Sequence, residues 1–159
     1  MKIAVIYSSI HHKNTEKVAH KIAESIGATL IPAELTNSEN LSRYDLIGIG
    51  SGVYYGKFHQ NITKILSSLT PDTNKNLFLF VTSGIPKLPL IPSTIEKNRD
   101  ILIKRGFNVL GILRIAGYNN FGFFKSIGGI NKGHPNQRDF KKAEKFAKKI
   151  KKISKHCQY

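Results

Sequence analysis

Five short apolar runs, separated by segments with helical periodicity, constrain the fold of this chain more than any other feature. Each run is almost continuously apolar, as a strand buried on both faces requires. The runs are Lys2–Tyr7, Ala28–Ile31, Leu46–Gly50, Leu77–Val81 and Phe107–Ile115. Strands that alternate with helices form a parallel sheet covered on both sides. The pattern therefore predicts an α/β fold of three layers, α/β/α, with a five-stranded parallel sheet.

The segments between these runs carry apolar residues at the spacing of a helix face. The predicted helices run from about Thr15 to Gly27, over 62–69, from about Thr94 to Arg105 and from Pro135 onward. Prolines at 86, 89 and 92 make the connection before the third helix stiff and non-helical. The polar segment 37–45 and the glycine-rich segment 117–134 are predicted to be loops.

The composition is that of one ordinary globular domain, residues 1–159. The chain is 40% hydrophobic and its one cysteine is Cys157, so no internal disulfide can form, which is typical of a reducing compartment. Its first residues read as a strand rather than a signal peptide, and no segment approaches the roughly 20 apolar residues of a membrane span. We therefore expect a single-domain, cytoplasmic protein.

The formal net charge of +15 is the unusual property of the composition. Residues 137–159 hold nine of the basic residues and only two acidic ones. These charges are read mostly as the solvated face of the last helix. The sharper interpretation is a surface for anionic partners, such as acidic redox proteins, nucleic acid or anionic lipid.

The first loop joins a predicted strand to a predicted helix and is rich in polar side chains. It contains Ser8, Ser9, Asn14 and Thr15. Free N–H groups and the helix dipole favour an anion at such a helix start, and hydroxyl groups add further donors. The loop lacks the Lys-Ser or Lys-Thr ending of a nucleoside triphosphatase, and the chain has no G-x-G-x-x-G motif. The loop is therefore predicted to hold the phosphate of a cofactor.

This stretch resembles the phosphate loop of the flavodoxin family. The matching positions are Tyr7, Ser9, Asn14, Thr15, Glu16, Val18 and Ala19. The loop departs from the common form by one additional residue and by His11-His12-Lys13, which is similar to a subgroup with a His-His-x-Asn-Thr loop. The resemblance implies strand order 2-1-3-4-5 and FMN at the switch between strands one and three, a placement for which flavodoxin itself is the standard example.

The resemblance also implies which residues contact FMN. The loop after strand three would place an aromatic ring on the flavin, with Tyr54 slightly preferred over Tyr55, and the loop after strand four would reach the polar edge of the ring. The predicted cofactor-binding residues are Ser8, Ser9, His11, His12, Asn14, Thr15, Gly52, Val53, Tyr54, Tyr55, Gly56, Thr82, Ser83 and Gly84.

Other polar residues have less defined roles. His11 and His12 are expected to contact the phosphate or lie near the ring, since no cysteine or carboxylate cluster completes a metal site. His59 is a candidate for the same pocket. The segment 117–135 either shields the flavin edge, forms a docking patch or is an ordinary packed loop.

An FMN-binding electron carrier in the cytoplasm is the function that the resemblance implies, with no catalytic residue of its own. Its expected partners are redox proteins, with acidic ones such as a ferredoxin-type protein or a reductase as candidates. One alternative is an FMN-dependent oxidoreductase acting on a quinone or protoporphyrinogen, because Gly52–His59 also looks like the corresponding loop of flavodoxin-like protoporphyrinogen oxidases. A second alternative is a basic nucleic-acid-binding module, although no nucleic-acid recognition pattern accompanies the lysines.

Overall fold

A parallel sheet with helices on both faces forms the framework of the protein, seen here in a computed structural model that describes residues 1–10, 12–72, 75–84, 93–120 and 122–157. The strands are β1 (Ile3–Ser8), β2 (Thr29–Pro32), β3 (Leu46–Tyr54), β4 (Lys57–Phe58), β5 (Asn76–Ser83) and β6 (Asn108–Ala116). The helices are α1 (Asn14–Ile26), α2 (Ser38–Leu41), α3 (Gln60–Ser68), α4 (Thr94–Lys104) and α5 (Gln137–His156). Short 3₁₀ turns cover Ala33–Leu35 and Gly122–Lys125.

The strand order is β2-β1-β3-β5-β6, and all neighbours along this path are parallel. The two-residue β4 lies off the path and pairs antiparallel with the end of β3. The predicted order 2-1-3-4-5 is confirmed for the five long strands, and β4 is an addition that the sequence pattern did not indicate.

Two apolar clusters separate the three layers. On one face, α1 and α5 pack against β1 and β5 through residues such as Val5, Ile22 and Ala147. On the other face, α3 and α4 pack through residues such as Ile62 and Leu102. This double coverage explains the continuous apolar runs, since a strand with one exposed face would alternate instead.

Two glycines of β3 make room for large rings from the neighbouring strand. A Cβ atom added at Gly48 would lie 2.2 Å from Cζ of Phe78, and one added at Gly50 would lie 2.0 Å from Cζ of Phe80. Both phenylalanines are fully buried. Glycine therefore lets the rings lie across β3 and fill the space beneath α1 and α5.

The structure corrects several predicted boundaries. The strand predicted over Leu46–Gly50 continues to Tyr54, because its end pairs with β4 as well as β5. Thr82 and Ser83 belong to β5 rather than to a loop. The segment 37–45 contains α2. The last helix begins at Gln137 instead of Pro135, because Asn136 accepts from the backbone N–H groups of the first turn.

The segment 117–134, predicted as a plain loop, contains the second 3₁₀ turn and a two-way backbone bridge between Asn119 and Ile130. Prolines 86, 89 and 92 lie outside the described residues. Within the described ranges, no helix combines the length and apolar character needed to cross a membrane.

Candidate functional site

Loops at the carboxyl edge of the sheet concentrate the unusual backbone conformations of the protein. Among the described residues, four other than glycine have positive φ: His12 (55°), Lys13 (52°), Tyr55 (48°) and Asn131 (55°). They follow β1, β3 and β6 at this edge. Such conformations cost about 1–3 kcal/mol each and persist where the surroundings fix them, which is typical of ligand sites.

The start of α1 is open to an anion. Lys13 occupies the N-cap position and makes no side-chain cap hydrogen bond. By contrast, the Asn136 side chain at the start of α5 accepts from the N–H groups of Arg138 and Asp139. The first N–H groups of α1 thus lack the cap that closes α5, at a position where the helix dipole favours negative charge.

Two predicted site residues of α1 bind neighbouring elements with their side chains. The hydroxyl oxygens of Thr15 and Thr82 lie 2.7 Å apart, and both residues are buried. The Asn14 amide donates to the Tyr118 carbonyl at 2.9 Å. These bonds join the start of α1 to the ends of β5 and β6. A phosphate at this place would therefore meet the backbone of Asn14 and Thr15 more readily than their side chains.

Ser8 and Ser9 differ although they are adjacent. Side chains alternate along a strand, and the Ser8 hydroxyl lies on the α3 side, 2.8 Å from His59 Nδ1 and 3.3 Å from the Glu34 carboxylate. Ser8 is 1% exposed. Because α1 covers the opposite side of the sheet, a phosphate at α1 would rely on Ser9 and not on the hydroxyl of Ser8. Ser9 is half-buried in the loop.

Glu34 and His59 complete a polar cluster around Ser8. Burial pushes the pKa of Glu34 upward, but hydrogen bonds from its own backbone, Asn61 and Ser8, together with the nearby His59, outweigh this and lower the pKa overall. The backbone N–H of His59 donates to the Ser51 hydroxyl at 2.9 Å. The structure thus places His59 on the α3 side of the carboxyl edge.

The hairpin after β3 presents its two tyrosines differently. Tyr55 and Gly56 both have positive φ, as a two-residue hairpin turn requires, and Tyr55 at the tip is 88% exposed. The half-buried Tyr54 folds back over Gly52, where an added Cβ atom would lie 2.5 Å from the tyrosine oxygen. The Tyr54 hydroxyl accepts from the N–H of Ile10 at 3.2 Å. Tyr54 therefore touches the loop between β1 and α1, whereas Tyr55 stands at the exposed tip of the hairpin.

The residues of the hairpin contact the neighbouring loop, the apolar cluster and the start of α4. Burial raises the pKa of Tyr54, and the hydrogen bond from Ile10 opposes this only in part. Val53 packs on the apolar cluster beneath α3. The Thr94 hydroxyl at the start of α4 donates to the Gly56 carbonyl. Gly52 lies in β3, and its small size matters because Tyr54 occupies the space that a side chain would need.

Residues after β6 contact the site; they belong to the segment 117–135, for which the sequence left three roles open, and none of them was predicted individually as a site residue. Nε2 of His12 lies 2.8 Å from Oδ1 of Asn120. The Asn131 amide donates to the Gly84 carbonyl at 3.0 Å. A Cβ atom at Gly84 would lie 2.5 Å from Cβ of Asn119, so glycine permits this closure. The available signal was a long loop rich in asparagine and glycine.

Two further sequence predictions concern this edge. Ser83, at the end of β5, accepts from the backbone N–H of Gly117 with its own backbone carbonyl at 3.0 Å. His11 lies outside the described residues. Among the residues that are described, no group of three or more histidine, cysteine, aspartate or glutamate side chains could hold a metal ion.

The amino-acid sequence matches a known protein family over most of its length. The family model of the flavodoxin domain matches residues 4–100, more than half of the chain. The chain belongs to the flavodoxin family. An uncharacterized protein of Methanocaldococcus jannaschii is 45% identical over 151 residues, which cover 94% of this chain and 98% of that protein.

Solved flavodoxin structures share the fold. A flavodoxin from the domain Archaea has a TM-score of 0.73 at 18% identity, covering 98% of this chain and all of its own. Oxidised flavodoxin 2 from Bacillus cereus has a TM-score of 0.70 at 20% identity, covering 96% and 99%. At these identities the likeness concerns the fold alone, and the assignment of individual residues depends on the geometry described above.

Proposed function

We propose that this flavodoxin-family protein binds FMN at the carboxyl edge of its sheet and carries electrons between redox partners. The observation that carries the proposal is the open start of α1 beside Ser9, a place suited to one terminal phosphate. The bound flavin would supply the redox chemistry, and the protein would supply binding, orientation and electrostatics.

The residues present fit such a ligand. The backbone of Asn14 and Thr15 and the hydroxyl of Ser9 would hold the phosphate. The ring of Tyr54 would pack on the flat apolar flavin, because this tyrosine already lies between the hairpin and the phosphate loop. Backbone groups near Ser83 and Gly84 would meet the polar edge of the ring, and His12 would lie beside the phosphate loop.

FMN is distinguished from FAD by the absence of any second nucleotide-binding motif in the sequence. We expect mass analysis of the flavin released from purified protein to give FMN, and titration of the flavin-free protein with FMN to give saturable binding. Recovery of FAD would exclude the mononucleotide. Absence of both bound flavin and binding on titration would exclude the proposal as a whole.

An FMN-dependent oxidoreductase acting on a quinone or protoporphyrinogen is the second candidate. The contacts of His12 and Asn131 favour it, because they fold residues after β6 over the site as a substrate-binding enzyme would need. Turnover of a quinone with a chemical reductant would support the enzyme. Rapid reduction by a redox protein without quinone turnover would support the carrier.

The charge guides the search for partners. With a net charge of +15, the protein should meet acidic redox proteins fastest, so a ferredoxin-type protein or a reductase is the first partner to test. We also propose that residues 1–159 act as one domain, and the cytoplasmic location stays a prediction.

A further inference from the structure

We propose that His12 is a positioning residue that couples phosphate occupancy at the start of α1 to ordering of the residues after β6. This inference rests on the proposed function, because it assigns a partner segment and a regulatory role to the same phosphate loop. The segment involved is the stem, defined as residues 117–120 and 130–134.

His12 contacts the stem in two ways. Its Nε2 lies 2.8 Å from Oδ1 of Asn120, so the ring nitrogen donates when it carries the proton. Its ring centroid is also 4.6 Å from that of Tyr118, with the two planes tilted by 48°. His12 thus contacts two residues of the stem, Asn120 through a hydrogen bond and Tyr118 through a ring contact.

The two halves of the stem are joined by backbone hydrogen bonds. Asn119 and Ile130 exchange backbone hydrogen bonds of 3.0 and 2.8 Å, and the N–H of Tyr118 donates to the His134 carbonyl at 3.1 Å. A partly exposed loop segment joined by a short bridge of this kind is expected to open at lower free energy than the buried strands of the sheet. Its contacts with the rest of the site are therefore the means by which a ligand can change its order.

The backbone of the phosphate loop explains why the coupling should work in both directions. His12 and Lys13 are consecutive residues with positive φ, which L-residues adopt reluctantly. The contacts of the His12 side chain help to hold this conformation before a ligand arrives. A phosphate bound to the same backbone would hold it further, and linkage requires that the stem and the phosphate stabilise each other by the same factor.

The phosphate alone should be sufficient for this effect. The stem contacts the phosphate loop through His12 and the first turn of α1 through Asn14, whose amide donates to the Tyr118 carbonyl. Inorganic phosphate and FMN should therefore slow hydrogen exchange at the stem, whereas riboflavin, which lacks the phosphate, should slow it much less. The net free energy of one neutral hydrogen bond corresponds to roughly a three- to tenfold change in the exchange rate of the stem amides and in the affinity for phosphate.

The test measures hydrogen exchange at the backbone amides of Tyr118, Asn119 and Ile130 in the whole chain. Exchange is recorded without ligand and with inorganic phosphate, riboflavin or FMN. The informative variant is His12→Asn, because asparagine tolerates positive φ but is too short to keep the ring contact with Tyr118. Asn120→Ala removes the other partner. His20→Asn, on the exposed face of α1, is the matched control.

We expect phosphate and FMN to slow exchange at the three amides about three- to tenfold in the unmodified protein and in His20→Asn. His12→Asn and Asn120→Ala should lose this protection and bind FMN about three- to tenfold more weakly, with riboflavin affinity nearly unchanged. A double variant no weaker than either single variant would support one shared contact.

Three results would overturn the inference while leaving the proposed function intact, and two of them concern protection of the stem by FMN. One is FMN binding to the unmodified protein without any change of exchange at the stem. The other is full protection by FMN in His12→Asn. If the unmodified protein binds neither FMN nor riboflavin, the proposed function fails, and protection by inorganic phosphate still decides whether the phosphate loop and the stem are coupled. Protection by riboflavin equal to that by FMN would overturn the role of the phosphate.

Discussion

The two edges of the sheet use polar residues in different ways. At the amino edge, polar groups bind one another. The Asn76 amide donates to the Ser154 hydroxyl at 2.9 Å and its oxygen accepts from Asn108, and both Asn76 and Ser154 are buried. The Arg105 guanidinium donates to the carbonyls of Leu66 and Leu69 at the end of α3, at 2.6 and 2.7 Å. These contacts join elements far apart in sequence.

At the carboxyl edge, the polar groups are arranged around an open helix start. The N-cap of α1 makes no side-chain cap hydrogen bond, and two residues before α1 hold strained conformations. The exposed Tyr55 stands at a loop tip on the same edge. Polarity alone therefore does not mark a site: the polar groups of the amino edge bind one another, whereas the carboxyl edge leaves donors available to a ligand.

A substitution in the polar cluster at the amino edge should have the largest effect, and this effect should be on the free energy of unfolding alone. Asn76→Ala removes two hydrogen bonds and leaves the buried Ser154 hydroxyl without that donor, so we expect the free energy of unfolding to fall by about 2–4 kcal/mol. Denaturant unfolding measures this, with Asn40→Ala, at an exposed position of α2, as control. FMN affinity of the folded variant should stay within about twofold. A stability loss below about 0.5 kcal/mol would contradict the structural role of this cluster.

A substitution in the phosphate loop should instead change the affinity for FMN and leave the free energy of unfolding nearly unchanged. Ser9→Ala should weaken FMN relative to riboflavin by about 1.5–3 kcal/mol, the value of a hydrogen bond to a charged group, with little change in unfolding. Ser8→Ala is the matched control, because its hydroxyl faces His59 and Glu34 instead. Fluorescence titrations with both flavins give the ratio. An equal change of that ratio in the two variants would show that strand alternation does not separate their roles.

The sequence predicted the framework well, because continuous apolar runs follow directly from burial on both faces of a sheet. It also predicted Asn14, Thr15, Tyr54 and Thr82 as site residues, and the structure brings all four to the carboxyl edge. Their exact contacts could not be predicted. The pairing of the Thr15 and Thr82 hydroxyls depends on how closely α1 approaches β5, which is a property of tertiary packing.

Other features had no local signal. The hairpin turn at Tyr55 and Gly56 was predicted only as part of the loop after strand three, since Tyr-Gly is not among the strongest turn dipeptides. Asn120 contacts His12, which lies 108 residues earlier in the sequence. Asn131 contacts Gly84, which lies 47 residues earlier. Contacts at such separations depend on the path of the whole chain, so a residue type that is common in surface loops gave no indication of them.

The two tyrosines of the hairpin should contribute differently to flavin binding. Tyr54→Ala should weaken the binding of both FMN and riboflavin by about 0.5–1.5 kcal/mol, because the ring would contact the flavin, which both ligands share. Tyr55→Ala should change both affinities less, since Tyr55 is 88% exposed at the tip. Fluorescence titrations of the two variants measure this. A larger loss with Tyr55→Ala would mean that the hairpin turns over when the flavin binds.

Replacing lysines of α5 should have the smallest effect on the midpoint potential of the flavin. Lys145, Lys148, Lys149 and Lys152 are exposed, and this part of α5 leads toward the amino edge, where Ser154 meets Asn76. Solvent-exposed charges beyond about 8 Å are largely screened at physiological salt. Replacing all four by glutamine should therefore leave the midpoint potential nearly unchanged, whereas Lys57→Gln, next to the hairpin turn, should lower it by more, because a nearby positive charge favours electron addition.

The same quadruple variant tests docking. A positive field speeds encounter with an acidic donor, and salt weakens that effect. We expect reduction by an acidic electron-transfer protein to slow several-fold at low salt and to converge with the unmodified rate as salt is raised. Stopped-flow reduction over a range of ionic strength measures both. If the rate and its salt dependence are both unchanged, these lysines form only a solvated face, and the charges that guide a partner lie nearer the carboxyl edge, with Lys57 the first to be tested.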